Sequence, residues 1–175
     1  MAIVFELVVN YGQDHAAVEN AGRIVAAHPP LTAGPHLIRL HEPLVTTVHD
    51  AAGRPYLEMS VIPAQVGCKV ALDGNRPQLR LTSEELSELG AGLYTLLATL
   101  TGYRAARAGW DPEVFVDPVE LRREWAEELA AGALPGLVVA EDVRLGVPMN
   151  AFVRFTDGFR WIPYESGRPS FGPSV

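Results

Sequence analysis

At 175 residues, 48% hydrophobic and 20% charged, the chain has enough apolar content for a substantial core and lacks the polar bias of a disordered segment. Its formal net charge of −7 disfavours non-specific attachment to nucleic acid or to an anionic membrane, since both need a basic surface. A single cysteine, Cys68, rules out a disulfide within the chain and fits a reducing, cytoplasmic setting.

The first ten residues lack the basic start of a secretory signal. Within them IVFELVVN reads as a strand buried on both faces except near Glu6. A helix is expected from about Asp14, with Val18, Ala21, Ile24, Val25 and His28 on one face, ending at Pro29-Pro30 because proline cannot continue the ladder. Residues 36–41 and 44–49 read as two strands broken by Glu42-Pro43. Turn chemistry at 50–53 leads into an alternating strand over 56–62. Residues 67–72 and 78–81 flank Asp73-Gly74-Asn75, which predicts a hairpin, as Asp-Gly readily supplies positive φ.

The stretch 82–102 predicts one long buried helix. Thr82 and Glu85 have the spacing of a capping box, and Leu86, Leu89, Leu93, Leu96, Leu97 and Leu100 fall on one face. Gly90 and Gly92 are each worth roughly 1 kcal/mol less than alanine inside a helix, so another backbone is expected to come close there. The uncharged part of this helix is shorter than the ~20 residues that a membrane span needs.

Beyond it, Asp117-Pro118 with Glu120 predicts a helix start, Leu121, Trp125 and Leu129 share its face, and Gly132 is its cap. Residues 137–140 form a short apolar run, and 151–155 with 159–164 predict a hairpin around Thr156-Asp157-Gly158. The expected architecture is α+β: a mostly antiparallel sheet of about five to seven strands, the 82–102 helix packed on it, and a C-terminal helix plus hairpin. One domain is expected, with 111–175 as a conceivable accessory segment.

Chemistry is harder to place. The histidines lack metal-ligand spacing, and the glycines fall at turns instead of forming a phosphate-binding loop. Cys68 beside Lys69 reads as a small core residue, since strand neighbours point apart. No catalytic residue, metal or cofactor is assigned on this basis. Acidity, however, is local: within 111–142 nine acids stand against Arg122 and Arg123. The aromatics lie in the same part of the chain, and on the strand after Gly158 Arg160 and Tyr164 are expected to look outward.

These observations lead to a non-catalytic protein that binds another macromolecule. The partner expected is a basic protein, met by Trp110, Asp111, Glu113, Glu124, Glu127, Glu128, Arg160 and Tyr164 in an inhibitor, immunity-type or adaptor role. The alternative is a small-molecule-binding protein or enzyme with an apolar pocket between the central helix and the sheet. There Tyr94, Thr95, Thr99 and Tyr103 supply the polar groups.

Overall fold

The computed structural model describes residues 2–164. In chain order these form β1 (Ile3–Asn10), α1 (His15–Ala26), β2 (Leu31–Ala33), β3 (His36–Ile38), β4 (Leu44–His49), β5 (Pro55–Val61) and β6 (Gly67–Cys68). There follow α2 (Ser83–Leu97), β7 (Ala105–Trp110), α3 (Pro118–Glu124), α4 (Ala126–Ala131), β8 (Val138–Ala140), β9 (Val153–Thr156) and β10 (Phe159–Trp161). The architecture is α+β, with an antiparallel sheet ordered β4-β5-β1-β7-β8-β10-β9 and β6 added to β1. This eight-stranded sheet is larger than expected, and β2 and β3 form a separate hairpin.

β1 lies in the middle because its residues tolerate burial on both sides. It pairs with β5 from Leu7↔Val61 to Asn10↔Glu58 and with β7 from Phe5↔Trp110 to Asn10↔Ala105. Side chains alternate across a strand, so this register sorts them into two faces. Phe5, Leu7 and Val9 share a face with Leu57, Met59, Val61, Ala106 and Ala108, and all are buried. They join Val18, Val25, Leu89, Leu93 and Leu97 of α1 and α2 in the core. Glu6, Val8 and Asn10 share the other face with Tyr56, Glu58, Ser60 and Arg107. The chain after β7 crosses that second face, and the Asn10 side-chain amide donates to the Val116 carbonyl there at 2.8 Å.

α2 opens with the predicted capping box: Thr82 Oγ1 accepts from the Glu85 amide at 3.2 Å, and Glu85 accepts from the Thr82 amide at 2.8 Å. It stops at Leu97, before the expected end at 102. The amides of Thr99 and Leu100 bond back to Leu96 and Leu97, tightening the chain into an exit turn that closes at Gly102 with φ +79°. Gly90 is needed because the Tyr164 ring lies against it where a Cβ would stand. The expected close backbone is thus replaced by side chains, the Tyr164 ring at Gly90 and Leu31 at Gly92.

Two other expectations fail where contacts from elsewhere in the chain override the local pattern. The 67–81 hairpin does not form: strand pairing stops at Cys68 and a 3-10 turn follows at Ala71–Asp73. Asp73 instead staples the loop, accepting from the Gln65 amide at 2.8 Å and from His41 Nε2 at 2.7 Å. The helix expected from Asp117 to Gly132 is broken at Trp125, whose φ of −122° and ψ of 22° leave the helical range. The Trp125 indole packs on Phe115 with ring centres 4.9 Å apart. Its two ends match expectation: Asp117 caps α3 with Pro118 in the first turn, and Gly132 caps α4 at φ 68°. The C-terminal hairpin forms as β9 and β10 and completes the far edge of the sheet, with Trp161 half-buried. No helix among the described residues is long and apolar enough to cross a membrane.

Candidate functional site

The second face of the sheet carries an unusual load. The buried charged or amide side chains Glu6, Asn10, Glu58 and Arg107 all lie on it, and Asp117 is in the segment that crosses it. A buried charge without a partner is costly, so where these groups find partners decides what the face can do.

Glu6 projects from β1 and Glu58 from β5. Glu6 is 7% exposed and Glu58 9% exposed. The Ser60 hydroxyl hydrogen-bonds Glu6, and Tyr56 Oη donates to Glu58 Oε2 at 3.1 Å. Burial lifts the Glu6 carboxyl to about 7; the Ser60 bond opposes this, and the charges of Glu113, Glu58 and Asp111 push it further up. Burial also raises the Glu58 carboxyl, against the Tyr56 hydrogen bond and with help from Glu113. Asp111 and Glu113 come in from the turn after β7, where Asp111 Oδ1 accepts from the Val4 amide at 2.9 Å and fixes the crossing.

No arginine, lysine or histidine forms an ion pair with any of these four carboxylates among the described residues. Arg107, opposite Val8 on the same face, turns away from them. Its guanidinium lies 4.3 Å from the centre of the Phe115 ring, and its Nε donates to the Pro135 carbonyl at 3.3 Å. Burial lowers its pKa. The face thus holds an acidic cluster and, separately, a cation shielded by an aromatic ring.

Of the residues expected to bind, Asp111 and Glu113 join this cluster. Trp110 beside them is half-buried, edge-on to Phe5 at 5.2 Å. Glu124 and Glu127 are exposed and Glu128 half-exposed on α3 and α4, with no ion-pair partner among the described residues. Arg160 does look outward, within 3.6 Å of Glu141. Tyr164 does not: it is half-buried against Tyr94, with ring centres 5.0 Å apart.

The hydroxyls of the alternative pocket mostly serve the backbone. Tyr94 Oη donates to the Gly136 carbonyl at 2.8 Å and accepts from the Ala108 amide at 3.0 Å. Thr95 donates to Ala91 at 3.1 Å on the exposed side of α2, and Thr99 donates to Leu96 at 2.7 Å. Tyr103 is buried, stacked on Phe159 at 4.0 Å. Thr95 is exposed while Tyr94 and Tyr103 are buried. Cys68, expected in the core, is exposed. No group of three or more potential metal ligands occurs among the described residues.

Glu6 and Glu58 are the residues missed by sequence reasoning. The available signal was a charge at an inward position of an otherwise apolar strand, which a folded chain tolerates only for a reason. Neither a family model, a curated protein nor a solved structure matches the chain, so what defines it is the α+β fold and the buried acidic groups of its second sheet face.

Proposed function

We propose that the protein acts by binding a basic protein partner, which brings an arginine or lysine to the carboxylates of Glu6, Glu58, Asp111 and Glu113. The observation that carries this reading is that Glu6 and Glu58 lie buried on one sheet face, within electrostatic reach of Asp111 and Glu113, and that none of the four has an ion-pair partner among the described residues. Repulsion and burial already push the Glu6 carboxyl to about 7. An incoming guanidinium or ammonium cancels the repulsion, and its attraction, stronger in a partly dehydrated site than on an open surface, offsets the cost of burial.

The neighbouring edge supports the same reading. β4 carries no formal charge and sits at the margin of the sheet, with Leu44 43% and Val45 46% exposed. Leu44 pairs with Ser60 and Thr46 with Glu58, so they share the carboxylates' face. A partner seated there meets apolar surface, free backbone hydrogen-bonding groups and negative charge together. Inhibitor, immunity-type and adaptor roles all use a surface of this kind.

The test is retention from native cell extract at low and high salt, comparing the parent with Glu113→Arg and with charge reversal at Glu124, Glu127 and Glu128. A basic protein should be retained at low salt, released at high salt and lost with Glu113→Arg. A weaker effect of the α3–α4 reversals would separate contact from long-range steering. If nothing is retained while the purified protein carries a metabolite or turns over a substrate, the proposal fails.

A further inference from the structure

At the end of the sheet where β1 stops and β5 and β7 begin, well-separated segments of the chain enclose a cleft of about 340 Å³. Arg54 reaches it from the β4–β5 connection, Arg104 from just before β7, Arg122 from α3 and Arg144 from the chain after β8. Four arginines therefore line one hollow in a protein whose net charge is −7. Random placement on an acidic surface does not favour such a grouping, and like charges brought together repel unless an anion comes between them.

The two acids of the lining meet only part of that charge: Asp50 pairs with Arg54, and Asp117 pairs with none of the four among the described residues. Asp117 accepts from the Val119 amide through Oδ1 at 2.8 Å and from the Ala51 amide through Oδ2 at 2.7 Å. Asp50 accepts from the amides of Ala52 and Arg54 at 2.9 Å each, and from Arg54 Nε at 3.0 Å. Both carboxylates therefore shape the rim. The arginines keep donors in reserve. Arg104 is anchored by NH1 to Asp142 at 2.8 Å, and Arg122 by NH1 to the Arg144 carbonyl at 2.7 Å. The guanidinium of Arg144 makes no hydrogen bond among the described residues. Asn10 stiffens the floor, accepting from the Gly12 amide at 2.8 Å while its own amide holds Val116.

We propose that this cleft binds a small phosphorylated molecule, its phosphate monoester held by Arg54, Arg104, Arg122 and Arg144. One guanidinium fork saturates a carboxylate's two oxygens, whereas a phosphate monoester offers three terminal oxygens and up to two charges to several forks at once. The volume falls at the lower end of small-molecule sites, roughly 300–1,000 Å³. Pro55, Tyr56, Val119 and Val143 supply apolar wall for the organic part. A long polyanion is disfavoured by the negative field of the rest of the molecule. This site is independent of the basic-partner surface and stands or falls without it.

The test is an NMR titration of the full chain at low salt with glycerol 3-phosphate, with inorganic phosphate and with a phosphoserine peptide as separate probes. The ester should give saturable shifts at the amides of Gly12, Ala52 and Val119 and bind more tightly than inorganic phosphate. Arg144→Gln, which removes no hydrogen bond among the described residues, and Arg54→Gln should each weaken binding roughly tenfold, the loss of one charge-assisted contact. The melting temperature of free Arg144→Gln should match that of the parent. Absence of saturable shifts at millimolar ester, shifts confined to another surface, or unchanged affinity in Arg144→Gln overturns the proposal. Tighter binding of the phosphopeptide than of the ester overturns the assignment to a small molecule.

Discussion

The two faces of the sheet are made by the same strands and behave oppositely. Under α1 and α2, Phe5, Leu7, Val9, Met59 and Val61 are packed with leucines, and every alternate position is apolar. Across the same backbone, one residue further along each strand, stand Glu6, Glu58, Tyr56, Ser60 and Arg107. The first face is what a chain needs to fold. The second goes beyond that need, because apolar residues of similar size would pack there without the penalty of burying charge. The contrast between the faces is open to direct attack.

The largest effect should come from the apolar side. Leu93→Asp or Leu97→Asp places an unpaired charge among fully buried side chains, at a cost of several kcal/mol against a total stability of about 5–15 kcal/mol. Loss of the cooperative thermal transition is expected. A melt near that of the parent would remove α2 from the core.

Next is the pH response of the polar face. The folded Glu6 carboxyl at about 7 lies above its ordinary value of 4.5. Below that ordinary value both folded and unfolded chains hold the proton and the group imposes no penalty. As pH rises toward 7 only the folded chain holds it, so stability falls; above 7 the full penalty remains. Glu6→Gln should therefore match the parent in acid and exceed it by on the order of 3 kcal/mol above neutrality. Melting temperature measured against pH checks this, and parallel curves for the two proteins would refute it.

A smaller effect tests how α2 is tied to the strands. Tyr94→Phe leaves the Ala108 amide and the Gly136 carbonyl without their buried partner, and should lower stability by about 1–3 kcal/mol in chemical denaturation. The smallest should follow from Glu124→Gln with Glu127→Gln. Both residues are exposed, and a change within about 0.5 kcal/mol is expected, whatever happens to partner binding.

What the sequence made legible was local. The Thr82–Glu85 capping box, Asp117-Pro118 and the Gly132 cap each depend on residues within a turn of one another, and all three form as expected. So does the turn at Thr156-Asp157-Gly158. The failures share a cause: a distant partner outbid a local preference. Asp73-Gly74 had hairpin chemistry, but the Asp73 carboxylate is engaged by Gln65 and His41. The site was least legible of all, because Glu6 and Glu58 meet only once β5 lies beside β1, and the arginine cleft needs ends that the chain keeps far apart. Sequence periodicity reveals that a strand has two faces, but not which strands share them.

The central place of β1 also sets a clock. Val8 pairs with Ser60 on one side and with Arg107 on the other, so β1 waits for two neighbours that are made after it. At ~5–20 residues per second, synthesis reaches β7 about 5–20 s after β1. Through that interval an apolar strand has one edge unmatched, which invites pairing with other nascent chains. Expression yield should therefore respond to translation speed and chaperone supply more than the stability of the finished protein suggests, and chains terminated before residue 105 should aggregate.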